Sequence, residues 1–221
     1  MKEIGAFDVI GPVMIGPSSS HTAGALRIAL LARKMFRPEI AAVRFVLYGS
    51  FAETYQGHGT DRALIAGILG FESDDPRIPD SFALAEKAGI TAEFSLDRET
   101  KDIHPNTVDI CLSGKNGESM KVRGISVGGG RAEIRGIDGV DIKLAGEYST
   151  IFIKHRDAPG VVAYIAGKLS ENNINIAFMR LYRENKGEQA YTIIEADEEI
   201  SSPVVSAIEE HPAVYSAILI Q

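Results

Sequence analysis

The order of hydrophobic periods between about Gly146 and Gln221 restricts the fold of this chain more than any other feature. Ser149 to His155 alternates, with Ile151 and Ile153 opposite Phe152 and Lys154, the period of a strand. Asp157 is placed to cap a helix, and Pro159 falls in its first turn. Val161, Val162, Ile165 and Leu169 then recur at helical spacing, and Asn172-Asn173 ends that helix. Two strands, 174–183 and 189–196, flank the turn Asn185-Lys186-Gly187. Ser202 with Pro203 opens a second helix running to about Glu210, and Val214 to Ile220 closes as a strand. The order is βαββαβ, a split βαβ unit with one antiparallel sheet.

The chain before it, to about Ala145, is less regular. Thr22 to Phe36 reads as a mostly buried helix, with Ala25, Ile28, Ala32 and Met35 on one face and Leu26, Leu30 and Leu31 widening it. Ala41 to Tyr48 reads as a strand. Asp61 to Leu69 reads as a helix capped by Thr60 or Asp61, and Asp80 to Ala88 as another. Thr91 to Leu144 reads mostly as strands with glycine turns. The fold class is therefore α+β, with domains at 1–145 and 146–221.

Four short motifs in the first part carry residues suited to chemistry. In Gly16-Pro17-Ser18-Ser19-Ser20-His21-Thr22, a loop becomes a helix, which gathers hydroxyls, free N–H groups and an imidazole around one point. Such a helix start suits a carboxylate or phosphate, and the imidazole can move a proton near neutral pH. It also suits a plain serine-rich cap. Tyr48-Gly49-Ser50 and Gly57-His58-Gly59-Thr60-Asp61 form a second site. Here glycines clear space around an imidazole and permit unusual backbone angles, and Asp61 either caps the next helix or fixes the tautomer of His58. An exposed loop histidine is the alternative. In Ile103-His104-Pro105-Asn106-Thr107, proline keeps His104 extended at a strand entry, in a catalytic site or a simple turn. Ser126-Val127-Gly128-Gly129-Gly130-Arg131 is an anion-binding nest or a tight bend.

Composition removes several classes. The net charge is -7, with no basic stripe, which argues against nucleic-acid binding. No stretch reaches the ~20 apolar residues of a membrane helix, and Met1-Lys2-Glu3-Ile4-Gly5 lacks a signal-peptide layout. The single cysteine, Cys111, excludes an internal disulfide and any cluster or zinc site built from several cysteines of this chain. A reducing cytoplasm fits best.

Residues 146–221 resemble an ACT domain of ferredoxin-like βαββαβ form. The likeness rests on Lys154-His155-Arg156, Asp157-Ala158-Pro159-Gly160, and Asn172-Asn173-Ile174-Asn175-Ile176. In that family the Asp-x-Pro-Gly turn frames an amino-acid site at a dimer interface, which implies Asp157, Gly160 and Asn173 as effector-binding residues. A well-capped turn without a ligand is the alternative. The segment from Gly11-Pro12-Val13-Met14 to Ser20-His21-Thr22-Ala23-Gly24 resembles the opening of the iron–sulfur-dependent L-serine dehydratases. Gly57-His58-Gly59-Thr60-Asp61-Arg62, His104-Pro105-Asn106 and Ser126-Val127-Gly128-Gly129-Gly130 match further motifs of that family in order. The whole chain is similar to the beta subunit of the two-chain bacterial form. Its first domain is similar to the allosteric-substrate-binding domain of some phosphoglycerate dehydrogenases.

That resemblance implies the conversion of L-serine to pyruvate and ammonia. The [4Fe-4S] cluster is then ligated by a partner alpha chain, with no metal site in this chain, which is inactive alone. It implies His21 and His58 as catalytic residues, His58 as the base and His21 orienting the substrate or assisting hydroxyl departure. Ser18, Ser19, Ser20, Thr22, Asp61, His104, Asn106, Gly128 and Gly129 would bind substrate. An edge strand and an uncovered sheet face predict homodimerisation through the ACT domain. A regulatory amino-acid-binding subunit without chemistry, or a cluster-free hydrolase or lyase, are the rivals.

Overall fold

The computed structural model describes residues 13–145, 149–183 and 185–220. The readings of Met1–Gly5, of Gly11-Pro12 and of the endpoints Gly146 and Gln221 lie outside those residues. The chain divides into two compact units, one up to Gly139 and one from Val140. No described helix is long and apolar enough to cross a membrane.

The first unit opens with one π-helical turn, Ser19–Ala23, which runs into α1 (Gly24–Met35). The helix thus starts three residues before the predicted Thr22, because the Ser18 hydroxyl accepts the His21 N–H and caps it. There follow β1 (Ile40–Tyr48), α2 (Gly49–Thr54), α3 (Thr60–Leu69), α4 (Ser81–Lys87), β2 (Thr91–Asp97), β3 (Thr107–Gly114), β4 (Ser119–Gly128) and β5 (Arg131–Ile137). The strands of this unit lie in the order β2-β1-β3-β4-β5. β1 pairs in parallel with β2 and antiparallel with β3, so its C-terminal end lies beside the start of β3. Val43, Phe45 and Leu47 of β1 alternate inward and are buried.

α2 was not legible in the sequence, which read as a strand ending in a loop at Gly49-Ser50. The capping prediction for α3 also fails. Its N-cap is Gly59, in the left-handed conformation (φ 66°). Asp61 Oδ1 accepts instead from the Arg62 N–H beside it. α1 and α3 cross closely. A Cβ on Gly67 would stand 2.4 Å from the Leu26 carbonyl oxygen, so only glycine allows that approach.

The second unit contains β6 (Val140–Leu144), β7 (Ser149–Arg156), α5 (Val161–Glu171), β8 (Ile176–Arg183), β9 (Gln189–Ala196), α6 (Ser202–Glu209) and β10 (Val214–Ile220). The all-antiparallel sheet runs β10-β7-β9-β8, the ferredoxin-like order anticipated from the periodicity. Ile151, Ile153, Ile194 and Ala217 meet Val161, Ile165, Leu169, Val204 and Ile208 in its core. Asp157 does not cap α5. Gly160 holds that position at φ 90°, and Pro159 precedes the helix. The face opposite the helices is open only in part, at Phe178 of β8, which is exposed. Elsewhere on that face Phe152 and Tyr191 stack with centroids 5.5 Å apart, and both are buried, as are Ile193 and Ile218.

Candidate active site

The four motifs, far apart in sequence, meet at one end of the first sheet. A Cβ on Gly24, at the start of α1, would stand 2.0 Å from the Ser126 hydroxyl oxygen, so the first motif sits directly on the fourth. The Ser126 N–H donates to the Asn106 carbonyl (3.0 Å), joining the fourth to the third. The Phe51 N–H donates to the Pro105 carbonyl (3.3 Å), joining the third to the second. Gly49 has φ 49°, and a Cβ there would stand 2.8 Å from Pro105 Cα. The ring closes where Thr22 Oγ1 donates to the His58 carbonyl (3.0 Å).

Two imidazoles sit inside that ring. His21 and His58 are in edge contact, centroids 4.7 Å apart at 72°, and Phe51 is 5.3 Å from His21. His21 is held at both nitrogens. Ser20 Oγ lies 3.0 Å from Nδ1, and Ser50 Oγ lies 2.9 Å from Nε2. Burial, and after it the proximity of His58, holds the His21 pKa below its ordinary value. His58 is half-buried, and its Nδ1 is buried without a hydrogen-bond partner. The hydroxyls of Thr60 and Ser126 share that condition. Buried polar atoms without partners are uncommon, and three of them fall within these motifs.

Of the two roles expected of the glycines beside His58, the backbone one is seen at Gly59 (φ 66°). A Cβ on Gly59 would meet nothing within 4 Å, and one on Gly57 only the Thr54 carbonyl at 3.7 Å. What Gly59 provides is the left-handed backbone at the helix start. Asp61 is half-buried, and burial raises its pKa; its bond goes to the backbone rather than to the imidazole. His104 is exposed and accepts the Asn106 N–H at Nδ1 (3.2 Å), so its motif joins the ring through the Pro105 and Asn106 carbonyls while the His104 side chain takes a local bond. Gly128, Gly129 and Gly130, all at positive φ, make the β4–β5 turn with a register shift.

Sequence reasoning missed a charged network behind this site. Asp109 on β3 has a fully buried side chain. It accepts from Arg123 Nε (2.6 Å) and Nη2 (2.8 Å), from the Tyr48 hydroxyl (3.0 Å), and pairs with Lys121 (3.0 Å). Burial pushes the Asp109 carboxyl up, but these donors outweigh it and hold the pKa below the usual range. Burial and Asp109 raise the Tyr48 pKa. Tyr48 immediately precedes Gly49-Ser50, so the network fixes the strand end that presents Ser50. Alternating apolar residues hid Asp109, because its partners stand 14 and 61 residues away.

In the second unit, Asp157 accepts from Arg183 Nη1 (2.6 Å) and the Gly187 N–H (2.9 Å), tying its loop to the β8–β9 hairpin. Those two partners lower its pKa, the Gly187 N–H foremost. Gly160 is exposed, as is Asn173, which has φ 55°.

Comparison with known proteins gives the following. Residues 6–93 match the family model "Serine dehydratase beta chain", and residues 149–213 match the ACT domain. The chain is 42% identical over 212 residues to a probable L-serine dehydratase beta chain of Bacillus subtilis, covering 96% of each. It is 44% identical over 209 residues to the L-serine dehydratase beta chain of Peptoniphilus asaccharolyticus, covering 94% of each. It is also 24% identical over 163 residues to D-3-phosphoglycerate dehydrogenase of Bacillus subtilis, covering 72% of this chain and 30% of that one.

Proposed function

Because this chain belongs to the L-serine dehydratase beta-chain family, we propose that it serves as one subunit of a two-chain enzyme converting L-serine to pyruvate and ammonia. The observation that carries this reading is the convergence of four separated motifs on two imidazoles 4.7 Å apart. The described residues do not fit a cluster. They contain no group of three or more His, Cys, Asp or Glu able to hold a metal, and the lone Cys111 is half-buried on β3. The [4Fe-4S] cluster is assigned to the alpha partner, and this chain to binding and proton handling.

Dehydration of serine requires loss of the Cα proton and departure of the β-hydroxyl. The base must be unprotonated near neutral pH and must have a free nitrogen. His58, with an unpartnered Nδ1, meets the second condition, and we assign it the base. His21, with both nitrogens held by hydroxyls, is suited to orienting the substrate or assisting hydroxyl departure. The first N–H groups of the Ser19–Ala23 turn lack helical partners, and with the Ser18, Ser19 and Ser20 hydroxyls they suit the substrate carboxylate. Thr22, Asp61, His104, Asn106, Gly128 and Gly129 complete the proposed substrate shell. Asp157, Gly160 and Asn173 form the proposed effector site. The ACT domain dimerises through its edge strands and the open part of the sheet face at Phe178. The single cysteine supports a reducing cytoplasm.

The test is assembly with an iron-loaded, cysteine-bearing partner. Serine turnover is expected in the mixture and not from this chain alone. Iron-independent turnover by the isolated chain contradicts the reading.

A further inference from the structure

Ser50 has no role in the reading above, yet its hydroxyl makes the shortest contact to the His21 ring. The hydrogen bonds around that ring have a direction. The His21 backbone N–H donates to Ser18 Oγ (3.1 Å), and this bond can run only one way. The Ser18 proton then has two acceptors in reach, Ser20 Oγ at 3.3 Å and His21 Nδ1 at 3.4 Å. If it goes to Nδ1, that nitrogen accepts. If it goes to Ser20, the Ser20 proton turns to Nδ1, 3.0 Å away, and that nitrogen again accepts. A neutral imidazole has one donor and one acceptor nitrogen. With Nδ1 accepting in both of these arrangements, neutral His21 carries its proton on Nε2 in each of them and donates it to Ser50 Oγ.

The backbone around Ser50 is fixed on both sides. Gly49 is held at φ 49°, and Pro105 fills the space a Cβ would take. The Phe51 N–H is bonded to the Pro105 carbonyl, and Thr54 Oγ1 donates to the Ser50 carbonyl (2.8 Å). The hydroxyl therefore meets the ring from a rigid support. We infer that Ser50 is a positioning residue, which holds His21 in the Nε2–H form with its ring edge-on to His58. The titratable group facing His21 is His58, from the loop before α3; Phe51 is the other ring against it. The catalytic consequence rests on the proposed function, whereas the tautomer does not.

The experiment measures imidazole ¹⁵N shifts of the full chain, labelled at histidine, at a pH above the His21 titration. The wild type is expected in the Nε2–H form. Ser50→Ala shifts the population toward a mixture, and Ser50→Thr, which keeps a hydroxyl, restores it. A wild-type ring protonated at Nδ1, or an unchanged ratio in Ser50→Ala, overturns the inference. In the assembled enzyme, Ser50→Ala lowers kcat by on the order of 10- to 100-fold, with little change in KM. That loss is smaller than the ~10²–10⁴ expected of an acid–base group itself. Normal kcat in Ser50→Ala also overturns the inference, while leaving the dehydratase reading in place. An assembled wild type without serine turnover, but with the Ser50-dependent tautomer, sinks the dehydratase reading and supports the hydroxyl–imidazole assignment.

Discussion

His21 shows how much one residue's environment adds to its identity. The sequence placed it at a helix start among serines, and it is found there. Ser50 could not be paired with it from the sequence, because 29 residues separate the two. The lowered pKa makes a prediction about stability. In the folded chain His21 favours its neutral form more than in the unfolded chain, so the unfolded state binds more protons on acidification. The stabilisation is complete above the unfolded value of 6.5 and is lost as the pH falls through the lowered folded value. Melting temperatures between pH 7.5 and 5.5 should fall further for the wild type than for His21→Gln. Parallel curves contradict this. Asp109 makes a second prediction. Asp109→Ala strips Arg123 and Tyr48 of their shared acceptor and should cost about 3 kcal/mol in denaturant unfolding. A loss below ~0.5 kcal/mol, the range of neutral surface changes, contradicts the network's importance.

At the scale of elements, the regular parts of the chain were legible. Gln189–Ala196 and Val214–Ile220 appear with the predicted bounds, because alternating burial writes a period-two pattern into the residues. The irregular parts were not. α2 is six residues long and begins at a glycine at positive φ. Its position depends on Pro105 packing against Gly49, a contact 56 residues away that no local pattern records. The caps of α3 and α5 were assigned to acidic or hydroxyl side chains, but glycines in the left-handed conformation hold both positions. Gly49→Ala combines left-handed strain of ~1–2 kcal/mol with a Cβ forced into Pro105. Its denaturation midpoint should drop, and the His21 tautomer should shift with it as α2 moves. An unchanged midpoint contradicts the role given to that contact.

At the scale of the whole molecule, the order of the elements revealed the second unit, whereas only motif resemblance tied the four loops of the first unit together. Spacing gave no measure of their convergence. The buried Phe152–Tyr191 pair narrows the open part of the sheet face to its β8 side, so the edge strands carry most of the case for dimerisation. Light scattering at micromolar concentration should still report a dimer, and a monomer contradicts the edge-strand account. The most direct test of the proton-handling role is turnover of L-serine and its α-deuterated form by the reconstituted two-chain enzyme carrying His58→Ala or His21→Ala. The account predicts a loss of ~10²–10⁴ in kcat for His58→Ala, with a larger isotope effect than the wild type. Near-wild-type turnover by both variants would contradict it and leave this chain a binding module beside its partner's chemistry.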